Sequence, residues 1–398
     1  MDSNQARGRD GRTKGGGRSA GRVTVAAHEI GYDGGQERVT AELICGLLKR
    51  GYEVSAVALR CDLAPHARLR FRRVHGPRRP ASIASVVFYV VGSLRVWLDR
   101  GDFRHSSGAV VANAIDVTTV HFCNGYYQDV VGVKRHSRPG LAYRINEALY
   151  NLLARGGERW SYRPGRTKRL VPVSSGLARE LEQFFPSMRS AIRVIPNGVD
   201  GECFHPDPET RAAVRTEIGL GSEDLIAVFL GGDWERKGLR HSIGAMATAP
   251  DWYLMVVGEG DMDAFRAIAV QMNVDARIRF VGKRTDSWRL LAAGDAFVLP
   301  SSYEAFPLSA LEAAASGLPL LGTRVNGLEE LIVDGENGFF VETDPGMIGR
   351  RLAQLAADPD LRRRMAFNAR VSTRRYSWPA IVDSYASLLR ELEPRLTG

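Results

Sequence analysis

Residues 300–312, Pro-Ser-Ser-Tyr-Glu-Ala-Phe-Pro-Leu-Ser-Ala-Leu-Glu, set two carboxylates, Glu304 and Glu312, about the start of a helix. A strand-like run ends at Pro300, and Pro307 suits a first helical position, where its missing N–H costs nothing. Gly317 and Pro319 end the helix. The N–H groups around Phe306 to Ser309 then point out of the helix as a phosphate site. A glycosidase would need two carboxyls roughly 5 to 9 Å apart around one bond. With seven residues between them, Glu304 and Glu312 instead favour one carboxylate at a sugar and one deeper, on a ribose diol. The other reading is two solvated glutamates stabilised by the helix dipole.

Residues 231–238, Gly-Gly-Asp-Trp-Glu-Arg-Lys-Gly, follow a strand and put Arg236 and Lys237 at its carboxyl end. Cations there would stabilise the charge that develops on a departing diphosphate; otherwise they form an exposed basic turn. Gly258 belongs to a second strand-end turn, Val-Val-Gly-Glu-Gly over 256–260. Asp261 and Asp263 form an Asp-x-Asp, but they open a helix, where aspartates cap. No cluster has metal-ligand spacing, so no metal is expected. His28 and Asp129 are weaker candidates on the acceptor side, and His121 by itself reads first as a buried, hydrogen-bonded histidine.

These groups need a scaffold of strands, glycine loops and helices in alternation. Residues 23–27 form an apolar run, a loop ends in Gly34-Gly35, and from Gln36 a helical face carries Val39, Leu43, Leu47 and Leu48. Gly51 stops that helix and 53–59 is the next strand. The pattern returns with strands at 225–230, 254–257, 278–281, 296–300 and 318–322. Such alternation predicts an α/β chain with two doubly wound parallel sheets and a ligand cleft between their carboxyl edges. The boundary falls near 197–207, where Asn197-Gly198 is followed by Pro206 and Pro208.

The chain has 398 residues, enough for two cores, and a formal charge of +9. Residues 1–22 hold Arg7, Arg9, Arg12, Lys14, Arg18 and Arg22 with almost no apolar residue, which predicts a disordered basic tail and no secretory signal. Residues 83–94 are apolar but too short to span a bilayer, and read as a buried helix or strand. Cys45, Cys61, Cys123 and Cys203 are too scattered for a zinc site or a disulfide framework. A cytoplasmic protein is expected. Residues 134–169 carry ten Arg or Lys against Glu147 and Glu158, with Tyr143, Leu149, Tyr150, Leu152 and Leu153 interleaved. That surface could touch an anionic membrane, placing the protein at the inner face of the plasma membrane, or a phosphorylated lipid acceptor; a solvated helix face is the plain alternative. No module for reading nucleic acid is present.

Glu304 and Glu312 at their spacing, the Arg236-Lys237-Gly238 turn, Val-Ile-Pro-Asn-Gly-Val-Asp at 194–200 and Gly34-Gly35 occur in one order. Together they resemble a retaining family 4 glycosyltransferase, a member of the group 1 glycosyl transferases with the GT-B fold, over residues 23 to 395. The resemblance implies two Rossmann-like domains: residues 23–200 with 378–398 on the acceptor side, the last helix crossing back, and 205–377 on the donor side. It implies transfer of a hexosyl unit from a nucleoside diphosphate sugar, UDP first and GDP next, to a glycan, lipid-linked or small-molecule acceptor. No cofactor and no metal are implied. Glu312 matches the ribose-binding glutamate and Glu304 the one against the donor sugar. Ala305, Phe306, Pro307 and Leu308 would offer backbone N–H groups. Arg236 and Lys237 match the cation pair, Gly34 and Gly35 the loop that closes on the phosphates, and His121 the histidine near the reacting sugar. Gly258 lies in a donor-side turn, and Gly282 and Lys283 fall where the base is held. One departure is Gly232, where many members carry arginine; this arrangement resembles that of lipopolysaccharide-core glucosyltransferases. Cell-envelope polysaccharide or lipid-linked glycan synthesis is the expected role. A small natural product as acceptor, or a non-catalytic nucleotide-sugar-binding scaffold, is the alternative.

Overall fold

The computed structural model of the chain describes residues 20–77, 79–99, 101–132 and 140–393. Two six-stranded parallel sheets organise them. The first comprises β1 (Arg22–Ala26), β2 (Glu53–Ala58), β3 (Leu69–Arg73), β4 (Phe103–Ser107), β5 (Ile115–Val120) and β6 (Thr167–Pro172), in the order β3-β2-β1-β4-β5-β6. The second comprises β7 (Leu225–Leu230), β8 (Trp252–Val257), β9 (Ile278–Gly282), β10 (Ala296–Leu299), β11 (Leu320–Gly322) and β12 (Gly338–Phe340), in the order β9-β8-β7-β10-β11-β12. Both have the doubly wound arrangement. The strand order reverses between β1 and β4 in one sheet and between β7 and β10 in the other, and crevices open there at the carboxyl ends. Val23, Val25 and Ala26 are all buried although they alternate faces, as expected of a parallel strand covered on both sides.

Seven helices matter for the site: α1 (Gly35–Lys49), α2 (Ala81–Leu98), α3 (Leu141–Ser161), α4 (Ser175–Phe184), α5 (Met262–Gln271), α6 (Leu308–Ala315) and α7 (Trp378–Leu392). The last of these lies against the first. Val382 fills the space that Gly46 leaves on α1, where an added Cβ would stand 2.4 Å from a valine methyl. Arg50 donates to Asp383 at 2.6 Å and to the Pro379 carbonyl at 2.7 Å, and Tyr385 meets Thr119 of β5 at 2.8 Å. The chain leaves the first half through 197–204 and returns beside that segment at Ser377, which bridges Val199; Gly198 leaves room for Trp378, whose ring an added Cβ would meet at 2.5 Å. Each large apolar side chain buried in this way contributes about 1.5–3 kcal/mol.

Several expectations are corrected. Arg22, read as tail, opens β1 and pairs with Glu53 at 3.1 Å; tail residues 1–19 lie outside the described residues. Within the basic stretch 134–169, residues 134–139 also lie outside them. Strands β3 to β6 and β12 were not legible, the last because three residues are too few to show a period. Pro307 caps α6 from extended backbone (φ −72°, ψ 112°) and is not its first helical residue. Residues 83–94 fall within an 18-residue helix, of which only a stripe through Ala84, Phe88, Gly92 and Val96 is buried. Val91 packs at the edge of the same core, while Ile83, Val86, Val90, Leu94, Trp97 and Leu98 are exposed.

Candidate active site

A cleft of about 2310 Å³ runs between the carboxyl edges of the two sheets. On the second sheet's side, β7 ends in Gly231, and the chain turns back through Arg236 and Lys237. Gly231 is required here: a Cβ would meet the Lys237 stem at 2.7 Å. Gly258, at the end of β8, has φ +137°, and its missing Cβ would fall 2.1 Å from the Gly231 carbonyl oxygen. These two glycines let neighbouring strand ends close together and leave the lysine an open track into the cleft.

Lys237 Nζ donates to Glu304 Oε1 at 2.7 Å, and Ser301 Oγ donates to the same oxygen at 2.9 Å. Arg236 donates from Nε to Asp233 at 2.7 Å and from Nη1 to the Tyr303 carbonyl at 2.6 Å, and lies 3.4 Å from Glu304. Glu304 is buried, so its charge is matched by two cations and a hydroxyl. Ala305, Phe306, Pro307 and Leu308 then wrap the start of α6, whose first amides have no acceptor one turn back. Gly327 (φ +78°) supports this loop from below, since a Cβ there would stand 2.5 Å from Phe306 Cα. Glu312, one turn into α6, is fully enclosed, and burial pushes its carboxyl up to about 7 against the pull of Arg38.

On the first sheet's side, Gly34 and Gly35 lead into α1, and Gly35 faces Leu308 across the cleft. His121 follows β5; burial lowers it to about 4, leaving the imidazole neutral at neutral pH. Its Nε2 is buried with no hydrogen-bond partner among the described residues, while the ring lines the cleft. That unsatisfied nitrogen is the kind of group a sugar hydroxyl would complete. His28 also lines the cleft, neutral for the same reason and packed 4.6 Å from the Phe88 ring.

Not every candidate arrives. Gly282 does not line the cleft; its carbonyl accepts from Gly258 N at 2.9 Å and so belongs to the stacked strand ends. Lys283 reaches the rim, exposed and 3.9 Å from Glu259. Asp261 caps α5 by accepting from Ala264 N at 3.1 Å, and neither it nor Asp263 lines the cleft. Asp129 is held by both Arg155 nitrogens at 2.8 Å, outside the cleft.

Three groups that join the two halves were not singled out from sequence. Arg38 of α1 forms an ion pair with Glu312 across the domain boundary. Its position one turn after Gly35 was the available signal. Glu180 of α4 accepts from the Tyr303 hydroxyl at 2.9 Å and from Asn326, and burial raises it to about 7. A carboxylate between Leu177, Leu181 and Phe184 on an apolar stripe marks such a buried contact. Asn197 lies in a quoted motif, and its amide donates to the Phe306 carbonyl at 3.1 Å. Phe122, Tyr127 and Tyr303 meet at centroid distances of 4.9 to 5.4 Å, tying the two halves together at the cleft.

Comparison with known proteins agrees with this arrangement. Residues 33–202 match the family described as Glycosyltransferase Family 4, and residues 210–372 match Glycosyl transferases group 1. The lipopolysaccharide core biosynthesis glycosyltransferase LpsE of Rhizobium meliloti (strain 1021) is 34% identical over 378 residues, covering 92% of this chain and 99% of the relative. The lipopolysaccharide glucosyltransferase WaaG of Escherichia coli (strain K12) is 27% identical over 51% of this chain and 55% of its own length. The crystal structure of WaaG superposes with a TM-score of 0.77 at 20% identity, over 92% of this chain and 99% of that one. Anabaena HepE in complex with UDP and glucose gives 0.69 at 15% identity, over 94% of this chain and all of that one, a likeness of fold.

Proposed function

Because the chain belongs to the family 4 glycosyltransferases, with a group 1 glycosyl transferase region in its C-terminal half, we propose that it moves a hexosyl unit from a UDP-sugar to a hydroxyl acceptor, with retention of configuration and no metal ion. The observation that carries the reading is one space bounded by Lys237, Arg236, the start of α6 and the unpartnered Nε2 of His121. In this reading the bond from the anomeric carbon to the diphosphate oxygen breaks as Lys237, Arg236 and the α6 amides take up the developing charge. The acceptor oxygen bonds to the same face of that carbon, and its proton passes to the departing phosphate oxygen. Glu304 orients the sugar and the cation pair, and Glu312 takes the ribose diol. Residues 205–377 form the donor side, and 23–200 with 378–398 the acceptor side.

Proton nuclear magnetic resonance of slow donor hydrolysis, in EDTA and without acceptor, tests the stereochemistry. The α anomer of the sugar is expected first from an α-linked donor. First appearance of the β anomer, or a requirement for divalent metal, contradicts the proposal.

The acceptor we propose is lipid-linked, in cell-envelope glycan synthesis at the cytoplasmic face of a membrane. LpsE and WaaG carry names of that kind. The support on this chain is the α2–α3 face. Ile83, Val86, Val90, Leu94 and Trp97 form an exposed stripe on α2, and Leu141, Ile145, Leu149 and Leu152 form another on α3. Val86, Val90 and Leu152 also line the cleft, so the apolar face runs into its mouth. Arg163 and Arg166 stack on Trp160 at 4.1 and 4.2 Å near the end of α3, and Arg144, Arg155 and Arg159 lie along the helix. Among the described residues α2 is the one helix long and apolar enough to cross a membrane, but its buried stripe ties it to the core. Lying in the interface suits it better. The protein is expected to float with phosphatidylglycerol-containing vesicles and not with pure phosphatidylcholine. Val90→Glu with Leu94→Glu is expected to abolish flotation while leaving nucleotide binding intact. Unchanged flotation of that variant contradicts the assignment.

A further inference from the structure

We propose that Arg38 is a positioning residue for the donor: from α1 it reaches across the cleft and holds Glu312 as the acceptor that a ribose diol needs. This rests on the reading of Glu312 given above. The geometry is specific. Arg38 stands one turn into α1, directly after the Gly34-Gly35 loop, and its guanidinium pairs with Glu312 of α6 in the other half of the molecule. Glu312 is buried, and its carboxylate forms no other hydrogen bond among the described residues.

A ribose diol offers two hydroxyl donors, and an ionised carboxylate accepts both, whereas a protonated one spends an oxygen as a donor. Burial already pushes the Glu312 carboxyl up to about 7, with Arg38 as the group opposing the rise. The other ionisable groups around the pair are Glu42 and Lys49 on α1 and Asp200 and Cys203 on the segment that leads into the second half. Arg38 is therefore the cation that keeps this carboxylate available, and it is supplied by the opposite half. Ribose recognition by the donor half thus depends on the acceptor half being docked, because drawing α1 away would leave Glu312 without its cation.

The experiment is isothermal titration of UDP-glucose, or of the nucleotide-sugar that wild type binds, between about pH 6.5 and 8.5, on wild type, Arg38→Gln, Arg38→Lys and Arg38→Gln with Glu312→Gln. Circular dichroism confirms that each is folded. Glu312 must be ionised to bind, so wild-type affinity falls as pH drops through about 7. Loss of the guanidinium moves that fall about one pH unit higher, so Arg38→Gln is about fivefold weaker than wild type at about pH 7 and less than about twofold weaker at about pH 8.5. Arg38→Lys restores most of the wild-type profile, and the double variant is flat. A deficit of the same size at every pH overturns the proposal and makes Arg38 a direct phosphate ligand. Wild-type affinity in Arg38→Gln overturns it as well. Failure of wild type to bind any nucleotide-sugar strikes the functional reading itself.

Discussion

Lys237→Ala is expected to lower kcat by about 10²–10³-fold at saturating donor, equivalent to about 2.7–4 kcal/mol of lost transition-state stabilisation. The ground for so large an effect is position. Lys237 is carried on the turn that follows β7, with its stem running past Gly231 and its ammonium delivered into the cleft beside Glu304. Glu304, which it meets at 2.7 Å, fixes it there before any substrate arrives. A donor of charge held in a largely enclosed site costs little reorganisation when the diphosphate begins to leave, and so acts mainly on the transition state. The fold is expected to survive, because Glu304 keeps Arg236 at 3.4 Å and the Ser301 hydroxyl at 2.9 Å. Steady-state kinetics with the donor KM measured alongside provide the check. A change in KM at constant kcat would show that the lysine serves only ground-state binding.

The second large effect is on affinity. Glu312→Ala is expected to weaken donor binding by about ten- to a hundredfold, as loss of one charge-assisted hydrogen bond is worth about 1.5–3 kcal/mol. Two features keep this readable as a local change. Alanine is a good helix former, so α6 should persist, and its neighbours Ala310, Leu311, Ala313 and Ala314 already pack the surrounding core. Arg38 loses its partner but is partly exposed, so it is not left as a buried charge. Glu312→Gln serves as the companion, keeping the volume and removing the charge. Competition titration with nucleoside diphosphate alone locates the loss at the nucleoside, because the sugar is then absent.

The C-terminal half was the more legible because its strands are short apolar runs closed by glycine turns, each pointing a chemical group at one place. The ends of β7 and β10 supply Arg236, Lys237 and Glu304 within a few residues of strand termini, so order along the chain was nearly order in space. The N-terminal half hides more. Its β3, Leu-Arg-Phe-Arg-Arg, is an exposed edge with the wrong composition for a buried strand, and β4 and β5 are rich in Ser and Thr. Those polar side chains are buried because they bond one another, as Ser106 with Thr118 at 3.1 Å, a pairing that local sequence does not reveal. For the same reason Arg38 was missed: its partner is 274 residues away and becomes a neighbour only when the two halves meet. Residues 83–94 misled in the opposite sense. Apolarity was read as burial, but α2 buries one stripe and leaves the other outward, next to a second exposed apolar helix.

The most direct test of the nucleotide-sugar cleft is a thermal-shift panel of UDP-, GDP-, ADP- and TDP-sugars, with and without EDTA, on wild type and Glu312→Ala. Stabilisation of wild type by one nucleotide class, equal in EDTA and lost in Glu312→Ala, is the expected result. Equal stabilisation of both proteins, stabilisation that disappears in EDTA, or none with any nucleotide-sugar would contradict it.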